Sequence, residues 1–215
     1  MTEIVIATAN PHKVDEMRAI FASLIPNTRL LGLGELGGPP PTEPAETGST
    51  FEANSSIKAV SYATATGRLC LADDSGLEID ALGGRPGVIS SHYCTDGREA
   101  GMSRGERDEA NNKRVLRELD GVAPENRGAR FVCVMTFSDA QGKIVGQVRG
   151  TFEGRIGMPG DVPRGKDGFG YDPLFLVAPA FAATSAELSS EEKNRVSHRR
   201  SAAEQIARII RSLYN

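Results

Sequence analysis

Apolar positions along the chain switch between a strand-like and a helix-like period, and the order of those periods predicts an α/β protein. Ile4-Val5-Ile6-Ala7 is a continuous apolar run, as expected for a strand buried on both faces. Asn10 and Pro11 then open a helix as N-cap and first helical residue, and Val14, Met17, Phe21 and Leu24 follow at helical spacing. Residues 30–33 predict a second strand. Residues 37–48 carry Gly37-Gly38-Pro39-Pro40-Pro41 and then Glu43 and Glu46, which predicts a long loop. Ser49-x-x-Glu52 is a capping-box pattern opening a helix to about Thr66. Residues 69–72 predict a short strand ending in the turn Asp73-Asp74-Ser75-Gly76, and 82–98 is rich in turn residues. A solvated helix is predicted over 106–119, with Val115, Leu116 and Leu119 inward. Strands over 129–137 and 144–151 form a hairpin across Asp139-Ala140-Gln141-Gly142. Residues 154–172 read as a glycine-rich loop, and 174–177 as a last strand. Ser189-x-x-Glu192 opens a short helix, and Ser197 caps a terminal one with an apolar stripe at Ala202, Ala203, Ile206, Ile210 and Leu213. No linker interrupts this order, so residues 1–215 are expected to form a single domain.

Composition narrows the function. Lys and Arg number 25 against 28 Asp and Glu, a formal charge of −3, which disfavours binding to a polyanion such as RNA. A small anionic substrate needs only a local basic site. Aromatic residues make up 6% and Trp is absent, so a stacking platform for single strands is not expected. Cys70, Cys94 and Cys133 are odd in number and form no Cys-x-x-Cys pair, which argues against a disulfide framework and a thiolate zinc site. Such thiol usage fits a reducing cytosol. No apolar run is long enough to span a bilayer, so a cytoplasmic protein without membrane partners is expected.

Several motifs fail on context. Gly32-Leu33-Gly34-Glu35-Leu36-Gly37 matches a dinucleotide fingerprint, but Gly38 and three prolines follow where a helix should start. No Gly-Lys-Ser/Thr exists for a P-loop, and no Ser sits in a nucleophile elbow.

Four clusters carry chemistry instead. Thr8-Ala9-Asn10-Pro11-His12-Lys13 lies between the first strand and helix, where backbone N–H groups and a lysine suit an anion. Asp73-Asp74-Ser75-Gly76 follows an apolar strand, and adjacent carboxylates there can hold Mg²⁺ and orient water, with Glu43 or Glu46 as a further carboxylate. In Gly168-Phe169-Gly170-Tyr171-Asp172-Pro173, glycines permit close approach of a ligand and the aromatics can stack on a base. Lys193-Asn194-Arg195-Val196-Ser197-His198-Arg199-Arg200 gathers positive charge around a helix start, which opposes the helix dipole and so points to an anionic or carbonyl-bearing ligand. Together they describe a site for a phosphorylated ligand with an aromatic base and a hard divalent metal, where water attacks phosphorus.

In this combination and order the chain resembles the inosine triphosphate pyrophosphatase family, also called XTP/dITP diphosphatases. The matching stretches are Thr8-x-Asn10-x-x-Lys13, Glu46-Thr47-Gly48 with Phe51-Glu52-x-Asn54 and Lys58, Ala72-Asp73-Asp74-Ser75-Gly76-Leu77, Leu82-Gly83-Gly84-x-Pro86-Gly87, Phe169-Gly170-Tyr171-Asp172-Pro173, and Glu192-Lys193-Asn194 with Ser197-His198-Arg199. The resemblance implies an elongated, two-lobed α/β fold around a long, mixed, twisted sheet with flanking helices and a central active-site cleft. It implies Mg²⁺-dependent hydrolysis of ITP, dITP and XTP to the monophosphate and pyrophosphate, with Mn²⁺ as a substitute metal, and a homodimer. The role implied is cleansing of the nucleotide pool. By position, Thr8, Ala9, Asn10, Pro11, His12 and Lys13 would hold the phosphates, with Lys58 reaching one. Glu46 and Asp74 would ligate Mg²⁺. Asp74 would take the proton of the attacking water, with Asp73 supporting. Ser75 would contact the nucleotide. Phe169 would stack on the base beside Gly170, Tyr171 and Asp172, and Lys193, His198 and Arg199 would read it. His92 stands where many members have arginine. The alternatives are a pyrophosphatase for other modified nucleotides and a nucleotide-sensing module without turnover.

Overall fold

The computed structural model describes residues 2–8 and 10–214, leaving aside the side chains of Pro11 and His12. The expectations for Ala9 and for those two side chains fall outside the described residues. In chain order the elements are β1 (Thr2–Ile6), α1 (Pro11–Phe21), β2 (Thr28–Gly32), α2 (Phe51–Thr66), β3 (Cys70–Ile79), α3 (Arg104–Glu118), β4 (Gly128–Ser138), β5 (Ile144–Ile156), β6 (Phe175–Val177), α4 (Ser190–Val196) and α5 (His198–Tyr214). The strands join in the order β2-β1-β3-β4-β5-β6. β1 runs parallel to β2 and β3, while β6 is antiparallel to β5, so the sheet is mixed, as expected.

The chain divides into two compact units. One comprises Met1–Ser75, Cys133–Gly150 and Arg199–Asn215; the other comprises Gly76–Val132 and Thr151–His198. In the first unit, strand alternation sorts side chains to two faces. Ile4, Ile6, Leu71, Cys133, Met135 and Phe137 pack with Val14, Met17 and Phe21 of α1 and Ala203, Ile206 and Ile210 of α5. Val5, Ala7, Cys70 and Ala72 pack with Ala59, Tyr62 and Ala63 of α2. Thr136, next to Met135 in β4, points the other way and meets Ser55 of α2 at 2.8 Å. Leu213, expected in the α5 stripe, is half exposed in the last turn of the helix. The second unit has its own core around Leu77, Ile79, Tyr93, Val115, Leu119, Phe131, Leu174 and Phe175. There the guanidinium of the fully buried Arg127 donates to the carbonyls of Leu119, Val122, Ile156 and Gly157.

Three boundaries differ from the sequence reading. The N-cap of α2 is Thr50, whose extended backbone lets its hydroxyl accept from the Ala53 N–H, so Ser49 does not cap it. β5 continues through Gly154, Arg155 and Ile156, because these pair with Val177, Leu176 and Phe175 of β6. β3 runs on from Cys70 to Ile79, so Asp73, Asp74 and Ser75 lie inside a strand and not in a turn after it. Turn propensity loses there to the continuing sheet. Gly32–Gly37 opens no long helix, only a single tight turn over Leu33–Glu35, as the failed fingerprint requires. Cys70 and Cys133 are buried free thiols, pushed up by burial to about 11 and about 12.

Candidate functional site

The extension of β3 decides the chemistry of the acidic pair. Neighbouring residues of a strand point to opposite faces. Asp73 shares the parity of Leu71 and so faces the α1 and α5 side. Lys13 Nζ donates to both its oxygens at 3.3 Å, Arg199 Nη2 lies at 3.3 Å, and the Ser75 hydroxyl donates at 2.9 Å. Asp74 shares the parity of Ala72 and faces α2, where Lys58 Nζ donates to its Oδ1 at 3.2 Å. Two carboxylates adjacent in sequence therefore have separate partners.

Their titration diverges for the same reason. Burial pushes Asp73 up, but the charges of Lys13, Arg199 and Lys58 and the Ser75 hydroxyl outweigh it and hold Asp73 far below the usual carboxylate range. At Asp74 burial dominates; helped by the Glu46 and Asp73 charges, it outweighs Lys58 and pushes the carboxyl up to about 6. Adjacent acids with separated protonation are the usual basis for dividing electrostatic and proton-accepting roles. Burial disfavours the Lys58 ammonium, yet Asp74, Asp73 and Glu46 more than offset it and hold Lys58 charged.

Glu46 reaches the same ammonium, at 3.2 Å from Lys58. Its loop is pinned by Asn54, one helical turn before Lys58 on α2, whose Oδ1 accepts from the Gly48 N–H at 2.8 Å. A side chain at position 48 would put its Cβ 2.6 Å from that same Oδ1, so only glycine fits. Near the start of α1, Asn10 donates its backbone N–H to the Thr8 hydroxyl at 3.2 Å.

Asp74 Oδ2 is buried and has no hydrogen-bond partner. An orphaned carboxylate oxygen beside a second carboxylate is the hard donor set that Mg²⁺ prefers, and one or two such groups suffice when phosphate and water complete the shell. Among the described residues no three His, Cys, Asp or Glu converge as a self-sufficient cage. The donor set fits a cation that arrives with phosphate.

The second unit carries the aromatic loop. The Phe169 ring is 53% exposed, with Arg104 over it at 4.5 Å and the Lys193 ammonium 5.4 Å from its centroid. Asp172 is buried and accepts from the Phe169 N–H at 2.9 Å and from Lys193 at 2.5 Å. A Cβ at Gly168 would fall 2.3 Å from this carboxylate, and φ there is +82, so the loop needs glycine on both counts. The Tyr171 hydroxyl donates to the Ser90 carbonyl at 2.7 Å. His198 stacks on Phe131 at 5.4 Å between centroids. His92 sits between Ser91 Oγ, at 2.9 Å from Nδ1, and Glu99, at 3.1 Å from Nε2.

Thus Thr8, Asn10, Lys13, Glu46, Lys58, Asp73, Asp74, Ser75 and Arg199 belong to the first unit, and Phe169, Gly170, Tyr171, Asp172, Lys193 and His198 to the second. Arg199 is expected from its motif to read the base. Its Nη1 is taken by Glu16 at 2.8 and 2.9 Å and its Nη2 by Asp73, which makes it a partner of the carboxylate pair. Glu16 and three residues of α3, Arg104, Asp108 and Asn112, were not singled out by sequence. The signal for the latter was their spacing of four on one helix face, hidden within a helix that reads as solvated.

The sequence model of the Ham1 family matches residues 4–209. A dITP/XTP pyrophosphatase of Bacillus subtilis is 41% identical over 211 residues, covering 98% of each chain. One of Exiguobacterium sp. is 45% identical over 197 residues, covering 92% of this chain and 91% of its own. The Ham1 protein of Staphylococcus aureus superimposes with a TM-score of 0.81 at 37% identity, over 99% of this chain and 100% of its own. A HAM1 protein from Coxiella burnetii gives 0.82 at 38% identity, with the same coverage. The match runs through both units and includes the strand that carries the acidic pair, and on it the chain is a member of the Ham1 family.

Proposed function

We propose that this protein is a nucleoside triphosphate pyrophosphatase that hydrolyses deaminated purine nucleotides, dITP, XTP and ITP, to the monophosphate and pyrophosphate. The names of its relatives support the reaction class. The observation that carries it is the split acidic pair: Asp73 held ionised, and Asp74 pushed up to about 6 with one oxygen unpartnered. A group poised near neutrality accepts a proton from water efficiently. A module that only sensed nucleotides would have no use for such a base.

In this reading Thr8, Asn10 and Lys13 bind phosphate, and Lys58 orients Asp74 and neutralises charge. Asp74 receives the proton of the attacking water, while Asp73, fixed by Arg199 and Lys13, stays anionic. Mg²⁺ on Glu46 and Asp74 would neutralise the phosphate charge that develops as the α–β bridge breaks. Phe169 stacks on the base, and Lys193 and His198 supply donors to its 6-oxo group. Adenine presents an amino group there, which would leave donors facing donors.

Chromatographic product analysis tests this. With Mg²⁺, dITP, XTP and ITP should yield monophosphate and pyrophosphate, with ATP turned over at least about a hundredfold less efficiently in kcat/KM. A diphosphate plus orthophosphate would overturn the bond assignment; nucleotide binding without product would favour the sensor. The family resemblance also supports a cytoplasmic homodimer, which sedimentation would read as about twice the 22.9 kDa chain mass. Among the described residues no helix is long and apolar enough to cross a membrane.

A further inference from the structure

α3 grips the aromatic loop through a single face. Arg104, Asp108 and Asn112 recur every four residues, so their side chains stack along one side of the helix. Asp108 Oδ2 accepts from the Gly170 N–H at 2.9 Å, and Asn112 Nδ2 donates to the Gly170 carbonyl at 3.0 Å. Both backbone groups of the residue after Phe169 are therefore held by one helix. Gly170 itself is left-handed, at φ +62, so its own conformational preference does not fix the loop. Arg104 covers the exposed Phe169 ring and lies 4.0 Å from Asp108. The residue before Asn112, Asn111, turns the other way. It accepts from the Cys94 N–H at 2.7 Å and donates to the Ser91 carbonyl at 3.1 Å, which anchors the helix to the segment that Tyr171 also bonds.

We propose that Asp108 and Asn112 are positioning residues for base recognition, setting the Phe169–Gly170 peptide so that the ring meets the purine at a fixed height and tilt. This rests on the reading of Phe169 as the base-stacking residue. A stacking side chain on a loose loop must be ordered at each binding event, which weakens substrate affinity without touching the reacting phosphorus. Asp108 is the stronger of the two. Asn112 Oδ1 is buried without a partner, so removing this side chain also removes an unpaired acceptor.

The test uses the whole chain, with dITP as substrate and IMP as a calorimetric probe. Asp108→Ala should raise KM for dITP and Kd for IMP about tenfold, the worth of one part-buried hydrogen bond to a carboxylate, with kcat within about twofold. Asp108→Asn, which keeps an acceptor, should recover all but about threefold. Asn112→Ala should raise KM about threefold and gives the same reading should Asp108→Ala not fold. In a Phe169→Ala background, Asp108→Ala should add less than about twofold, since the loop then has no ring to aim. Unchanged KM in both α3 variants, a fall in kcat matching the rise in KM, or full additivity with Phe169→Ala would each overturn the proposal. Phe169→Ala with unaltered KM and Kd would overturn the stacking role, and this proposal with it; a Phe169 effect with none from Asp108 or Asn112 removes the α3 role alone.

Discussion

Asp74→Asn is expected to lower kcat for dITP by about a thousandfold, within the range a general base supplies, while leaving Kd for IMP within about threefold. Asparagine keeps an acceptor for Lys58 but cannot take a proton from water. The same change should stabilise the metal-free protein above pH 6. The folded carboxyl titrates at about 6 against an ordinary 3.8, so the native state holds the proton more tightly than the unfolded chain. Stability is therefore lost as pH rises from about 3.8 to about 6 and stays reduced beyond. Urea unfolding at pH 8 should show Asp74→Asn more stable by roughly 3 kcal/mol, and near-equal to wild type at pH 4. In wild type, kcat/KM should rise with pH through about 6, and this limb should move to lower pH as Mg²⁺ is raised, because a cation favours the ionised carboxylate. Turnover of Asp74→Asn near the wild-type rate would remove Asp74 as the base.

Arg199→Met should be the most destabilising of these changes, by about 3–5 kcal/mol at pH 7, because it removes one of the two direct ion-pair partners of the buried Asp73 carboxylate and frees Glu16. The sign with pH is opposite to that at Asp74. Asp73 lies below its ordinary 3.8 in the folded protein, so its contribution is complete above that value and is lost as pH falls. The gap between Arg199→Met and wild type should thus narrow in acid. Adding Asp73→Asn should restore part of the stability, since it removes the charge left stranded. Equal urea midpoints for Arg199→Met and wild type at pH 7, with unchanged slopes, would exclude this ion pair as a structural element.

Much of the site was legible because its residue types sit in runs. The acidic pair, the Phe169–Asp172 loop and the basic cluster at 193–200 each declare a chemistry over a few consecutive positions. Residue reading left Glu43 and Glu46 as equal candidates and only the resemblance singled out Glu46 and Lys58; the reason lies on α2, where Asn54 holds Gly48 and Lys58 one turn later meets the Glu46 carboxylate. Glu16 and the Arg104–Asp108–Asn112 face were not legible. Charged residues at helical spacing look the same whether they face water or a loop distant in sequence.

Local pattern alone determined the alternation of strands and helices, the α/β class and the four runs that carry chemistry, since each rests on periodicity or a short run. Only the tertiary structure decided that β3 continues through Asp73 and Asp74. Turn-forming residues favour a break there locally, but pairing along the sheet outweighs that preference. The consequence is the separation of two neighbouring carboxylates to opposite faces. One meets Lys13 and Arg199 and stays ionised; the other meets a single buried lysine and a second acid and is poised to accept a proton. Partners that lie 16 to 126 residues away set those protonation states, and no local rule of sequence brings them together.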